Sequence, residues 1–95
     1  MIKSFADEET RRFWEAGKAA KRPASNLRSA AKRKLQMLDS AAKLDDLKSP
    51  PGNKLHALER DRSHQHAIWI NDQWRLVFTW KDGDAYDVEI TDYHD

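Results

Sequence analysis

Two hydrophobic periods divide this chain. In the first half, Leu27, Ala31, Leu35, Leu38 and Ala42 recur at spacings of three and four, one apolar stripe at helical period. The stripe predicts a helix that starts near Pro23 or Ser25. Lys21, Arg22, Arg28, Lys32 and Arg33 mostly fall off it, toward solvent or a partner. An earlier helix is expected after Asp7, whose carboxylate suits an N-cap. Glu8 and Glu9 follow where acids favour the positive end of the helix dipole. Phe13, Trp14 and Ala16 supply its apolar surface, and Gly17 is a natural stop. Residues 2–5 read as a short first strand. Residues 44–47 read as a turn of helix or a loop, and Ser49-Pro50-Pro51-Gly52-Asn53 breaks regular structure.

From residue 64 onward the period is two. Residues 64–70, 74–80 and 85–91 read as three strands rich in aromatic and β-branched side chains. Trp74, Leu76, Phe78 and Trp80 alternate with Arg75, Val77 and Thr79, and Tyr86, Val88 and Ile90 alternate with Asp87, Glu89 and Thr91. Placing the apolar sets on one face pairs Trp80 with Tyr86, Phe78 with Val88 and Leu76 with Ile90. The slipped pairing of Trp80 with Ala85 is rejected because it sets Phe78 against Asp87. On the other side Ile70 faces Trp74 and Ile68 faces Leu76. Both connections are then odd-length loops, with Gly83 in a bulged turn. The apolar face packs on the two helices, while Trp69, Arg75 and Thr91 line up across the opposite face. The fold class is α+β: a short N-terminal strand, two helices, then a three-strand antiparallel meander.

Length and composition narrow the picture. Ninety-five residues, 39% of them hydrophobic, suit one domain spanning 1–95. The absence of cysteine excludes a disulfide scaffold and any cysteine-ligated metal site. No apolar run approaches a bilayer-spanning length, and the first residues carry no signal-peptide core. A cytoplasmic protein is expected. The net charge of +1 conceals strong polarity. Residues 18–34 hold Lys18, Lys21, Arg22, Arg28, Lys32, Arg33 and Lys34 with no acid, whereas residues 81–95 hold six acids against Lys81. A polyanion partner suits the basic segment, but on composition alone a solvated helix face is the somewhat better explanation.

Candidate chemistry lies at three separated places. His56 follows the Pro-Pro-Gly loop, and His94 sits beside Asp92 and Tyr93 at the end of the last strand. Two imidazoles titrate near working pH and serve as proton acceptor and donor. Arg75 offers a permanent charge that forks onto phosphate, and Asp92 an orienting group or a base. Such a set suffices for ribonuclease chemistry with no metal or cofactor, because RNA carries its own nucleophile, the 2′-hydroxyl. The same residues have plainer readings. A histidine near a chain end is commonly just solvated, and Arg75 can stack on Trp69 across the strands. An outward Trp beside an outward Arg also suits a nucleobase. His64 and His66 share a strand face, but a third metal ligand is lacking, and His66 has the parity of a half-buried side chain. Asp92 and His94 nominally point to the helix side, so their convergence with Arg75 requires a twist or bulge after Thr91.

Taken together, several strings resemble a known family. Met1-Ile2-Lys3-Ser4-Phe5, Lys54-Leu55-His56, residues 70–78 containing Gln73-Trp74-Arg75, and Gly83-Asp84-Ala85-Tyr86 running to Asp92-Tyr93-His94 resemble the HigB toxins. These are the plasmid maintenance system killer branch of the RelE/ParE superfamily of type II toxin–antitoxin modules. The resemblance covers the whole chain in order and spacing. Ala57 and Glu59-Arg60 depart from the family pattern, in which Lys-Leu-His is commonly followed by Pro and a Lys-Gly pair.

The resemblance implies a ribosome-dependent mRNA endonuclease, neutralised by a HigA-like helix-turn-helix antitoxin through which alone operator DNA is reached. Its catalytic residues carry over to His56, Arg75, Asp92, Tyr93 and His94. His56 and His94 would transfer protons, Asp92 act as base or orienter, Tyr93 stack or make a polar contact, and Arg75 clamp phosphate. Lys18, Lys21, Arg22, Arg28, Lys32, Arg33, Lys54, Arg60, Arg62 and Trp69 would contact ribosome or message. Neither metal nor cofactor is implied, and no membrane. Two alternatives use the same scaffold: a ParE-like toxin that binds a protein such as DNA gyrase, and an RNA-binding domain without turnover.

Overall fold

The computed structural model describes residues 1–16 and 25–92. Gly17, Lys18, Lys21, Arg22, Pro23, Tyr93 and His94 lie outside the described residues. Helix α1 spans Glu8–Ala16 and starts as its sequence demands, with the Thr10 amide donating to the Asp7 carboxylate at 2.7 Å. Helix α2 spans Arg28–Ser40 and follows a short 3-10 turn at Ser25–Leu27. Its stripe is buried as expected at Leu27, Ala31, Leu35 and Leu38. The stripe then ends on Ala41 rather than Ala42. The helix stops at Ser40 and Ala41 turns extended (φ −64°, ψ 131°), so helical spacing no longer applies and Ala42 is exposed.

The sheet has four antiparallel strands, β1 His56–Ala57, β2 His66–Trp69, β3 Arg75–Lys81 and β4 Asp84–Thr91, in the order β1-β2-β3-β4. The expected three-strand meander therefore gains a strand. His56 pairs with Ala67 and Ala57 with His66. Two residues are too short to announce themselves by alternation, and they follow a loop that does not end at Asn53 but passes through a 3-10 turn at Pro51–Asn53. The expected N-terminal strand reduces to two parallel bridges, Ile2 with Ala85 and Phe5 with Val88, that extend the sheet beyond β4.

The register is right on one side of a bulge and wrong on the other. Ile68 pairs with Leu76 and Leu76 with Ile90, as the shared apolar face requires. Near the hairpin, Trp80 pairs with Ala85 and Thr79 with Tyr86, the slipped pairing that alternation rejects. Asp87 reconciles the two by adopting φ +52° and adding one residue to β4 between them. Ala85 and Val88 are both fully buried, three residues apart, while Tyr86 moves to the face of Thr79. The hairpin itself is a two-residue Asp82-Gly83 turn with both φ positive, not an odd-length loop.

The core lies between the helices and one sheet face. Phe13, Ala31, Leu35 and Leu38 pack against Ile68, Leu76, Phe78 and Val88, with Trp14, Trp74 and Trp80 partly buried around them. The opposite face has a smaller cluster of Leu58, Ala67 and Val77, covered by the segment after β1. No helix among the described residues is long and apolar enough to cross a membrane.

Candidate active site

Strand parity puts His56, Trp69 and Arg75 on the outer face. Trp69 pairs with Arg75, and Arg75 with Thr91, so the expected row crosses three strands. Continuing the β1–β2 register by two residues sets Lys54 opposite Trp69. The side chains use this row. The Lys54 ammonium and the Arg75 guanidinium carbon each lie 3.9 Å from a Trp69 ring centroid. An indole holding two cations places positive charge on a flat, partly exposed aromatic surface.

Arg75 is 5% exposed. Its Nη1 donates to the Asn71 carbonyl at 2.7 Å and more weakly to the Trp74 carbonyl at 3.3 Å. Its Nε is buried with no acceptor. A buried N–H left unpaired costs about 1–3 kcal/mol. The guanidinium is thus oriented by Trp69 and the turn after β2.

His56 lies on the other side of β2, two residues away along it. Its Nδ1 donates to the Lys54 carbonyl at 2.8 Å. A carbonyl only accepts, so the neutral ring carries its proton on Nδ1 and its basic lone pair on Nε2. Two strand spacings and two residues separate the Cα atoms of His56 and Arg75, roughly 12 Å in all. The Arg75 guanidinium is held toward the β2–β3 turn by Trp69 and the Asn71 carbonyl, while His56 stands two residues back along β2 with its Nε2 buried. His66 sits next to this pair on the core-facing side. It stacks on Phe78 at 6.4 Å, and burial, followed by the nearby His56 charge, lowers its pKa. Among the described residues no three His, Asp or Glu side chains gather to hold a metal ion.

Asp92 is exposed just past β4, where its carboxylate accepts the Gln73 amide at 3.0 Å. It is tied to the β2–β3 turn, the same turn whose Asn71 carbonyl holds Arg75. Tyr93 and His94 lie outside the described residues, so the second imidazole is not placed. The basic residues split. Arg28, Lys32 and Arg33 belong to α2, on the far side of the sheet from Trp69. Arg60 is exposed in the 3-10 turn Arg60–Arg62, whereas Arg62 spends its charge on Glu89 at 2.9 Å.

Sequence reasoning missed three residues that hold this site. Lys34, counted with the solvated charges, is 7% exposed and donates to Asn53 Oδ1. Burial, with Arg33 a lesser cause, lowers its pKa. Asn53 is fully buried and donates onward to the carbonyls of Leu47 at 3.1 Å and Ser49 at 3.3 Å. Gln73 anchors Asp92. The signal for Lys34 was present: it lies three residues after Ala31 and four before Leu38, on the buried stripe.

Residues 3–94 match the model of a HigB-like toxin family, described as RelE-like toxin of type II toxin-antitoxin system HigB. Toxin HigB-1 of Vibrio cholerae is 38% identical over 85 residues, 90% of each chain. Endoribonuclease HigB of Proteus vulgaris is 34% identical over 94 residues, covering 99% of this chain and all of that one. Among solved structures, a histidine-to-glutamine mutant of YafQ from Escherichia coli superposes with a TM-score of 0.64 at 13% identity, covering 97% of this chain and 93% of that one. A YoeB–YefM complex from Staphylococcus aureus gives 0.59 at 17%, covering 100% and 99%. At those identities the two structures speak for the fold alone.

Proposed function

This chain belongs to the RelE-like HigB toxins of type II toxin–antitoxin systems, and from that premise we propose that it is an endoribonuclease that cuts messenger RNA on the translating ribosome. It acts as a single domain spanning 1–95, in the cytoplasm. The observation that carries the reading is the outer-face row of Lys54, Trp69 and Arg75 with His56 beside it. The printed name of the Proteus vulgaris relative supports the same chemistry.

In this reaction the RNA 2′-hydroxyl attacks the adjacent phosphorus and the bond to the 5′-oxygen breaks. The products are a 2′,3′-cyclic phosphate and a free 5′-hydroxyl. His56 Nε2 takes the hydroxyl proton, since Nδ1 is committed to Lys54. Arg75 donates to the non-bridging oxygens as charge develops there. Trp69, sandwiched between Lys54 and Arg75, holds both cations in place, and Lys54 neutralises backbone charge. His94 returns a proton to the leaving 5′-oxygen, Asp92 orients an imidazole, and Tyr93 stacks or makes a polar contact. These last three roles rest on the family resemblance. Coupled groups share their titrations, so base and acid are assigned as a pair.

Lys18, Lys21, Arg22, Arg28, Lys32, Arg33, Arg60 and Arg62 supply ribosome contacts, with Arg62 contributing least because Glu89 already pairs it. The toxin's antitoxin is a HigA-like helix-turn-helix protein, through which the pair reaches operator DNA.

Controlled expression tests the proposal. Growth should stop, and message should be cut only while ribosomes translate; a co-expressed HigA-like antitoxin should prevent both. Arrest without any cut message overturns it in favour of a protein target such as gyrase. Cleavage of naked RNA at the same rate overturns the ribosome dependence.

A further inference from the structure

We infer that Lys34 and Asn53 are a positioning pair, which seats the segment bearing Lys54 and His56 against α2 and so sets the turnover of the proposed ribonuclease. The inference rests on that reading of the site. It starts from a lysine in an unusual place. Lys34 stands on the apolar stripe of α2 and is 7% exposed. Buried lysines are rare unless paired. The polar partner here is a neutral side-chain amide, Asn53 Oδ1.

Asn53 in turn is the hub of the preceding loop. It is fully buried, and its amide hydrogens go to the carbonyls of Leu47 and Ser49. Its backbone N–H goes to Pro50 at 2.9 Å. Every polar group of this side chain is therefore used, and it seats the loop on α2 at Lys34 and Met37. The chain leaves that seat at once for the active site. Lys54 adopts φ +49°, which turns the backbone sharply. Its carbonyl accepts the His56 Nδ1–H, and its ammonium lies on Trp69. The buried anchor is thus directly followed by the residue whose carbonyl fixes the tautomer of the proposed base.

A purely structural anchor would not need a cation here. Desolvating an ammonium disfavours its charged form, which agrees with the lowered pKa of Lys34. A methionine fills nearly the same volume without that penalty, and isosteric apolar replacements of buried charges are often neutral or stabilising. The charge-assisted hydrogen bond to Asn53 gives something that packing alone does not, a defined loop position. Misplacing a reacting group by about 1 Å lowers rates by up to about 100-fold.

The test uses the full-length protein with translating ribosomes programmed with one message. Wild type, Lys34→Met, Lys34→Arg and Asn53→Ser are compared by cleavage kinetics, thermal unfolding and backbone amide exchange. For Lys34→Met, relief of desolvation offsets the orphaned Asn53 oxygen, so the unfolding midpoint stays near wild type. Its kcat should fall roughly 10- to 100-fold with KM little changed, and exchange should quicken at residues 54–57 while α2 and β3 stay protected. Lys34→Arg, which keeps a donor in reach of Asn53, should recover most of the turnover. Folded Lys34→Met with wild-type turnover and unchanged exchange at 54–57 overturns the inference. So does a rate loss explained wholly by a larger unfolded fraction. Should Lys34→Met fail to fold, Asn53→Ser is read by the same two measurements. If wild type itself cuts no message, the ribonuclease reading fails, and the exchange data still decide whether Lys34 seats the loop.

Discussion

Arg75 stacks on Trp69, its direct cross-strand neighbour, with the guanidinium carbon 3.9 Å from the ring centroid. The Asn71 carbonyl closes the other constraint on that guanidinium at 2.7 Å. An arginine held this way loses little freedom on engaging a ligand. Trp69→Ala should free both Arg75 and Lys54. The two cation–π contacts, each about 0.5–1 kcal/mol, convert to a drop in kcat/KM of roughly fivefold to thirtyfold. Trp69→Phe should keep most of the rate. Steady-state cleavage of ribosome-bound message measures both, and equal losses for Ala and Phe would show that the aromatic face is not what matters.

The bulge at Asp87 makes a prediction about stability alone. Its φ of +52° is open to Asp and Gly and hostile to a β-branched residue. Asp87→Val should destabilise the fold by about 1–2 kcal/mol, and Asp87→Gly should stay near wild type. Denaturant midpoints separate the two. An equal loss in both would place the cost in the carboxylate rather than in the backbone.

That bulge is also the clearest place where the sequence misleads. Tyr86, Val88 and Ile90 alternate without a break, and nothing in them announces an extra residue. Ala85 is small and apolar, so either register fills the core. A bulge lets β4 satisfy both: Leu76 keeps Ile90, and Trp80 takes Ala85. The long-range pairings that bind Ile68 to Leu76 and Trp69 to Arg75 were legible, because only one parity buries the apolar set. The α2 stripe was legible for the same reason. Lys34 was passed over because its charge outweighed its position. β1 was hidden because two residues show no period, and its strand character comes wholly from pairing with β2.

His66 predicts a pH dependence. Burial first, and the His56 charge second, hold its pKa below the ordinary 6.5. The unfolded chain therefore binds a proton at this ring before the native state does. Stability is full above pH 6.5 and declines as the pH falls from there through the native pKa. Urea midpoints between about pH 5 and 8 should show this slope in wild type and a shallower one in His66→Phe, which keeps the stacking on Phe78. Parallel curves for the two proteins would remove His66 as the source.

The central claim is that His56 and Arg75 act on one phosphodiester from the same sheet face. Single-turnover cleavage of a defined ribosome-bound message, by wild type, His56→Ala and Arg75→Lys, tests it most directly. All three should fold and bind antitoxin alike, and each substitution should slow the chemical step by roughly 100-fold or more. Cleavage at the wild-type rate by both variants would contradict it.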